Sequence, residues 1–148
     1  MKACGGKATP AGNLHITLAF LGSVAKHRLE SLELAAQEVQ GSAFSLSLDQ
    51  ARYWGHNHIV HAAPSAIPPQ LRELVHALEH SLARHRFHFD QRPEYKPHAT
   101  LLRHAKWTDA PLPATPPVPW HVSDFALVQS VGGERGVEYH LLARYPLA

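Results

Sequence analysis

The sequence predicts an α+β fold in a single domain that spans residues 1–148. Short segments in which apolar and polar residues alternate are typical of half-buried strands. Two longer segments, residues 26–40 and 69–86, carry apolar side chains at helical spacing. A four-residue motif also occurs once in each part of the chain, as "HITL" at 15–18 and "HATL" at 98–101. We therefore expect two related α+β halves, each carrying one copy of the motif.

Strands and a helix alternate in the first half. In "NLHITLAF", residues 13–20, alternation predicts a strand with an aliphatic face and a polar face. The helix over residues 26–40 is predicted by one apolar stripe. "FSLSLDQ" at 44–50 alternates as a strand, and the segment 57–63 reads as another. The stripe of the helix consists of Leu29, Leu32, Ala36 and Val39.

The second half is predicted to contain a long helix, a strand with the second motif, a loop and a hairpin. Prolines at its start predict that a long helix begins near residue 69. Residues 98–101 alternate as a strand, and "APLPATPPVP" at 110–119 reads as a proline-rich surface loop. The C-terminal segments 120–130 and 137–147 flank a glycine-rich turn and predict a hairpin. The stripe of the long helix consists of Leu71, Leu74, Val75, Leu78 and Leu82.

Composition restricts the function classes. The 148 residues are 45% hydrophobic and 18% charged, which is ordinary for a globular protein, and the single cysteine, Cys4, excludes an internal disulfide framework. No apolar run approaches the roughly 18 residues that span a bilayer, and the N-terminus lacks a signal-peptide core. We therefore expect a cytoplasmic protein without a membrane partner. A net charge of +2 is too small to indicate duplex DNA binding and is compatible with a small anionic substrate.

The repeated motif predicts acid–base chemistry on phosphate. The chain has only five threonines, and two of them stand in His-x-Thr-Leu. In a strand, His15 and Thr17 share a face, as do His98 and Thr100. A phosphodiester displacement needs a base and an acid, and histidine titrates near neutral pH. The threonine hydroxyls can donate hydrogen bonds to phosphate oxygens.

The likeness extends beyond the four-residue motif. "NLHITLAFLGSV", "KPHATLLRHA" and the C-terminal "FALVQSVGGERGVEYHLLARYPL" resemble the 2H phosphoesterase superfamily, and within it the bacterial RNA 2′,3′-cyclic phosphodiesterases, also called 2′-5′ RNA ligases. The resemblance covers roughly residue 5 to the C-terminus. It implies a bilobal α+β fold with two pseudo-symmetric antiparallel sheets, helices outside and a central cleft. It also implies metal-independent chemistry without a cofactor.

The resemblance also assigns residues to roles. It implies that His15 and His98 are the acid–base pair and that Thr17 and Thr100 contact the phosphate. Phe20 matches an aromatic placed against the nucleobase, although plain core is an equal alternative. Arg103 stands five residues after His98 and could bind phosphate through two hydrogen bonds. A regular strand would, however, turn Arg103 away from His98.

The resemblance implies that RNA or nucleotide 2′,3′-cyclic phosphate ends are opened to 2′-phosphates. Which histidine is the acid and which the base cannot be read from the sequence, with a slight preference for His98 as base and His15 as acid. The alternatives are another small cyclic phosphate or a 2′-5′ linkage as substrate, or an RNA-end-binding module with little turnover. The physiological RNA is not specified by the sequence.

The remaining histidines favour surface or structural roles over a metal site. "HALEH" matches an inverted zinc-protease pattern, but His76 and His80 fall opposite the apolar stripe of their helix and should face water. In "HNHIVH", His56 and His58 are expected on one strand face and His61 on the other. We expect no metal ligands here.

The first motif lies close to the N-terminus. Only fourteen residues precede His15, whereas a strand and a long helix precede His98. We therefore expect that a strand and most of a helix are missing from the N-terminal side. A homodimer or strand-swapped assembly would cover the exposed edge. Otherwise stability and activity should be low.

Overall fold

The computed structural model describes residues 7–92, 94–105, 116–133 and 136–148. The described residues form an α+β fold, as predicted. Their helices are α1 (Leu29–Gln37) and α2 (Pro69–Arg84). Their strands are β1 (Lys7–Ala8), β2 (Phe44–Leu48), β3 (Gln50–Trp54), β4 (Ile59–Ala63), β5 (Ala99–Arg103), β6 (Val118–Val122), β7 (Asp124–Gly133) and β8 (Gly136–Pro146). Neither α1 nor α2 is long and apolar enough to cross a membrane.

The chain divides into two compact units, and each unit draws on three separate stretches of sequence. The first unit contains Met1–Thr17, Leu46–Ile67 and Lys96–Trp120. The second unit contains Leu18–Ser45, Pro68–Tyr95 and His121–Ala148. Both histidine motifs begin in the first unit, since His15 and His98 belong to it. The expectation of one domain over residues 1–148, with a central cleft, stays a prediction.

The first unit is built on a four-stranded antiparallel sheet in the order β1-β5-β4-β3. One face of this sheet packs a small apolar core of Val60, Leu102 and Ala105, with Tyr53 against it. The Tyr53 hydroxyl donates to the Ala105 carbonyl oxygen at 3.3 Å. Because this face is filled with apolar side chains, the opposite face is the one that can carry polar chemistry.

The second unit packs α1 against α2. The apolar stripe predicted for α2 is buried along its whole length. On α1, Leu32, Ala35 and Ala36 are buried. Ser81 of α2 is buried as well, and its hydroxyl donates to the Ala35 carbonyl oxygen at 2.7 Å, which satisfies a polar group inside the helix pair.

The second unit also contains the predicted C-terminal hairpin. Strands β7 and β8 pair antiparallel from Asp124↔Pro146 to Gly133↔Gly136. Within the described part of the chain they pair only with each other, as β2 pairs only with β6. The expected two sheets are therefore seen as one four-stranded and two two-stranded sheets.

The prediction of a regular strand over residues 13–20 is wrong. Ala11–Asn13 forms a 3₁₀ turn, and only Ile16 makes a β-bridge. The carbonyl oxygens of Leu18 and Phe20 accept from the Arg92 guanidinium and the Asp90 amide, both at 2.9 Å. Because side-chain and loop donors take these backbone acceptors, a ladder cannot continue.

Smaller differences concern loops and ends. The segment predicted as one strand at 44–50 is two, because Asp49 lies between β2 and β3 and accepts two hydrogen bonds from Ser65. Helix α2 ends two residues earlier than predicted. Most of the proline-rich loop, residues 110–115, and Cys4 lie outside the described residues.

The packing of α2 can be tested with a matched pair of variants. Leu71 is buried, whereas His76 on the same helix is exposed. Leu71→Ala should lower the free energy of unfolding by about 2–5 kcal/mol, because it removes buried methyl groups and leaves a cavity. His76→Ala should change it by less than about 0.5 kcal/mol. Chemical denaturation measures both, and equal losses would contradict the buried stripe.

Candidate functional site

One antiparallel β-bridge brings the two histidine motifs together. Ile16 pairs with Ala99, the first residue of β5. In an antiparallel register, the residues one step away on each side also lie opposite each other. His15 therefore lies across from Thr100, and Thr17 across from His98. Since both bridge residues point to one face, these four side chains belong to the other.

Both motif histidines are held in the same way. The Nδ1–H of His15 donates to the Asn13 carbonyl oxygen at 2.6 Å, and the Nδ1–H of His98 donates to the Lys96 carbonyl oxygen at 2.8 Å. In each case the acceptor lies two residues earlier in the chain. A carbonyl can only accept, so each neutral ring keeps its acceptor lone pair on Nε2. Each ring can therefore exchange a proton through Nε2.

The neighbouring strands extend this face of the sheet. Within β4, His61 pairs with Thr100 of β5 and with Arg52 of β3. Directly opposite residues of a sheet share a face, so His61 and Arg52 lie on the motif side. Trp54, two residues after Arg52, joins them. The sheet thus has a motif face that carries imidazoles, hydroxyls and an arginine, and a core face that carries apolar side chains.

A β-bulge alters the position of Arg103. The β4–β5 register runs Val60↔Leu102 and then His61↔Thr100, so β5 contains one extra residue at this point. The extra residue reverses the alternation, which places Leu102 on the core face and returns Arg103 to the motif face. The expectation that a regular strand turns Arg103 away from His98 therefore does not apply, because β5 is not regular. Lys7 of β1 pairs with Arg103 and shares its face.

Three rings pack together on the motif face. The ring centroids of Trp54 and His61 are 3.8 Å apart, and those of Trp54 and His98 are 4.6 Å apart with the planes at 72°. The His61 and His98 centroids are 5.5 Å apart at 74°. His98 therefore meets two aromatic rings edge to face, the arrangement that aromatic pairs favour over a face-to-face sandwich.

His61 is a buried and electrically neutral member of this group. Only 2% of it is exposed, and its Nδ1 has no hydrogen-bond partner among the described residues. Burial, followed by the charges of His98 and Arg52, lowers the pKa of His61 to about 4. At neutral pH it is therefore uncharged.

Phe20 lies in the second unit and is 56% exposed. The alternative that Phe20 is a core residue is therefore wrong. The physical reason is local, since its backbone carbonyl is tied to the Asp90 amide while its ring stays in solvent. A contact between Phe20 and a nucleobase stays a prediction.

The other histidines follow the surface interpretation, with one correction. His76 and His80 are exposed on α2, as expected. His56 and His58 lie in the turn between β3 and β4 rather than on a strand face, and His58 has a φ of 56°. Within the described ranges, no group of three histidine, cysteine, aspartate or glutamate side chains could hold a metal ion.

Sequence reasoning missed Trp54, Arg52 and the packing role of His61. A signal was present, because Arg52 and Trp54 are two residues apart in a strand and so share a face. What the sequence could not supply is the register that places His61 opposite Arg52 and Thr100.

The low pKa of His61 predicts acid destabilisation. Its pKa is about 4 in the folded chain, below the ordinary 6.5. Between these values the unfolded chain binds the proton more readily, so the free energy of unfolding should fall as the pH drops from about 6.5 to about 4. His61→Phe should reduce this slope, as measured by thermal unfolding at about pH 7, 6 and 5. His80→Phe, on an exposed position, is the control, and an unchanged slope in His61→Phe would contradict the assignment.

Comparisons with known proteins identify the family of this chain. The family model described as the 2′-5′ RNA ligase superfamily matches residues 1–134. The RNA 2′,3′-cyclic phosphodiesterase of Escherichia coli K12 is 33% identical over 144 residues, which cover 96% of this chain and 80% of that protein.

Solved structures share the fold. The crystal structure of E. coli LigT complexed with 3′-AMP superposes with a TM-score of 0.88 at 31% identity and covers 99% of this chain and 84% of that one. The apo form gives 0.83 at 32% identity, with 96% and 80% covered. A protein from Thermus thermophilus gives 0.75 at 26% identity, with 96% and 82% covered. This chain, with its paired His-x-Thr motifs on one sheet face, belongs to the 2′-5′ RNA ligase superfamily.

Proposed function

We propose that this protein hydrolyses 2′,3′-cyclic phosphate ends of RNA or nucleotides to 2′-phosphates. The observation that carries the proposal is the Ile16–Ala99 bridge, whose register supports two histidines and two threonines on one sheet face. The 33% identity to an RNA 2′,3′-cyclic phosphodiesterase supports the choice of substrate.

The reaction needs one proton acceptor and one proton donor. Water attacks phosphorus and forms a new P–O bond while the bond from phosphorus to the 3′ oxygen breaks. One histidine takes the proton of the water through Nε2, and the other gives a proton to the leaving 3′ oxygen. We assign His98 as base and His15 as acid. Because each Nδ1–H is fixed on a backbone carbonyl, each ring presents Nε2 without having to change tautomer.

The phosphate contacts follow from the same face. Thr17 and Thr100 can donate hydrogen bonds to the non-bridging oxygens, which hold the phosphate for in-line attack. The register shift in β5 supports adding Arg103 to this face, where its guanidinium can bind two phosphate oxygens. Arg103 and its neighbour Lys7 add positive charge beside the motifs.

The partners are RNA or nucleotide ends, and we place the protein in the cytoplasm without a membrane partner.

We also propose a homodimer that covers an exposed sheet edge, and the β7–β8 hairpin offers such an edge. Val128 and Leu141 are directly paired, share one face, and are 45% and 52% exposed. The outer edges of this two-stranded sheet are unpaired among the described residues. Long edges of this kind are templates for pairing with a second copy.

The acid–base roles predict large losses of activity on substitution. His15→Ala and His98→Ala should each reduce turnover of a 2′,3′-cyclic nucleotide by roughly 10²–10⁴-fold, because each removes a positioned acid or base. Both should keep the melting temperature close to that of the parent, since neither ring belongs to the apolar core. His80→Ala is the matched control. A variant that keeps near-normal turnover would contradict the paired mechanism.

The same assay separates an enzyme from a binding module. A catalyst without its histidines loses turnover but can still bind product, whereas an RNA-end-binding module has no turnover to lose. Titration of a 2′-nucleotide product by calorimetry, alongside the rate assay, distinguishes the two. A parent protein that binds the product and does not hydrolyse the cyclic phosphate would contradict the proposed activity.

The side chains of the two motifs predict activity without a metal. Each motif offers a histidine and a threonine, not the carboxylates or thiolates that usually complete a catalytic metal site. Turnover should therefore persist in excess EDTA. Loss of activity that is restored by one added divalent ion would contradict the two-histidine mechanism.

The dimer surface can be tested by adding charge to one face of the hairpin. The double variant Val128→Lys, Leu141→Lys should shift the protein toward monomer in sedimentation velocity at micromolar concentration. A dimer of this variant would have to bury the two lysine charges in an apolar contact, which is unfavourable. Gln129→Lys with His140→Lys adds lysines to a directly paired position on the opposite face and should leave the dimer intact. A parent protein that is monomeric would contradict the dimer.

A further inference from the structure

Two rings outside the His-x-Thr motifs surround His98. Trp54 lies 4.6 Å from His98 and His61 lies 5.5 Å from it, both measured between ring centroids. Trp54 and His61 are themselves 3.8 Å apart, so the two rings support each other. The backbone hydrogen bond from Nδ1 anchors one edge of His98, and the two rings pack against it edge to face.

We propose that Trp54 and His61 are positioning residues that fix the orientation of the His98 imidazole for catalysis, and that His61 does so as a neutral aromatic ring. The inference rests on the proposed function for its kinetic effect. Its structural part, the restriction of the His98 ring, stands on the contacts alone. Neither ring is assigned a contact with substrate.

The surroundings of His61 explain why a neutral ring is required. The charged or titratable groups that face it are His98 and Arg52, whereas Trp54 and Thr100 carry no charge. A proton on His61 would place a positive charge beside both of them in a buried position. Burial and these two neighbours lower its pKa to about 4, so the charge does not form at neutral pH.

The unpartnered Nδ1 of His61 points to packing rather than proton transfer. A ring that relayed protons would use its nitrogens as hydrogen-bonding groups. Instead, Nδ1 is buried without a partner among the described residues, at a cost to stability. A phenyl ring at this position could therefore keep the ring contacts while it removes the unsatisfied nitrogen.

The proposal is tested by steady-state kinetics on a 2′,3′-cyclic nucleotide. Trp54→Ala and His61→Ala should lower kcat by roughly 10- to 100-fold, because a small misplacement of a catalytic group has effects of that size. KM should change less than about twofold, because substrate contacts are kept. Trp54→Phe and His61→Phe, which preserve a ring, should keep kcat within about threefold.

Val60→Ala is the matched control for stability. Val60 is fully buried in the same strand as His61 but points to the core face, so its truncation should lower the melting temperature without lowering kcat. A kcat for His61→Ala equal to that of the parent would overturn the proposal. A loss in His61→Phe as large as that in His61→Ala would show that the imidazole nitrogens matter, and would overturn the neutral-ring role.

A second measurement keeps the proposal separate from the assigned activity. The ring current of Trp54 should displace the imidazole carbon-bound proton signals of His98 in an NMR spectrum of the parent protein. Trp54→Ala should move these signals toward values for a freely rotating ring, while Val60→Ala should not. If the parent protein lacks turnover but shows these shifts, the proposed function fails and the positioning contacts stand. Unchanged His98 signals in Trp54→Ala would overturn the positioning role.

Discussion

The arrangement of the candidate site depends on the single antiparallel bridge between Ile16 and Ala99. Residues 13–20 do not form a regular strand, and neighbouring donors take the carbonyl oxygens that a ladder would use. One bridge is nevertheless sufficient to set which side chains oppose each other. Because the register is antiparallel, each histidine faces the threonine of the other motif rather than its counterpart. A substrate phosphate bound on this face would thus have a histidine of one motif and the threonine of the other motif on each side.

The second constraint is the extra residue in β5. Without a bulge between Val60 and His61, the alternation would place Leu102 on the motif face and Arg103 on the core face. The observed register does the opposite, so the sheet keeps an apolar face around Leu102 and gains an arginine beside the motifs. One local irregularity therefore keeps Leu102 in the apolar core and turns Arg103 toward the face that carries the histidine motifs.

Much of this arrangement could be predicted from the sequence, and the rest depended on long-range register. The stripe of α2, the C-terminal hairpin and the placement of Thr17 and Thr100 beside their histidines follow from local periodicity. The bulge, the bridge and the exposure of Phe20 do not, because they depend on which distant backbone groups pair. The contact of Trp54 with His98 was overlooked for the same reason, since these two rings are distant in sequence.

His61 illustrates how a functional face and a stable core compete within one strand. Its neighbour Val60 contributes to the apolar core with no polar atom to satisfy, whereas His61 buries a nitrogen that has no described partner. Leaving such a group unpaired costs about 1–3 kcal/mol. A protein built only for stability would favour an apolar side chain there. The Trp54–His61 pair instead favours catalysis at this cost in stability. A His98 ring that is already held in its orientation loses less entropy on reaching the transition state.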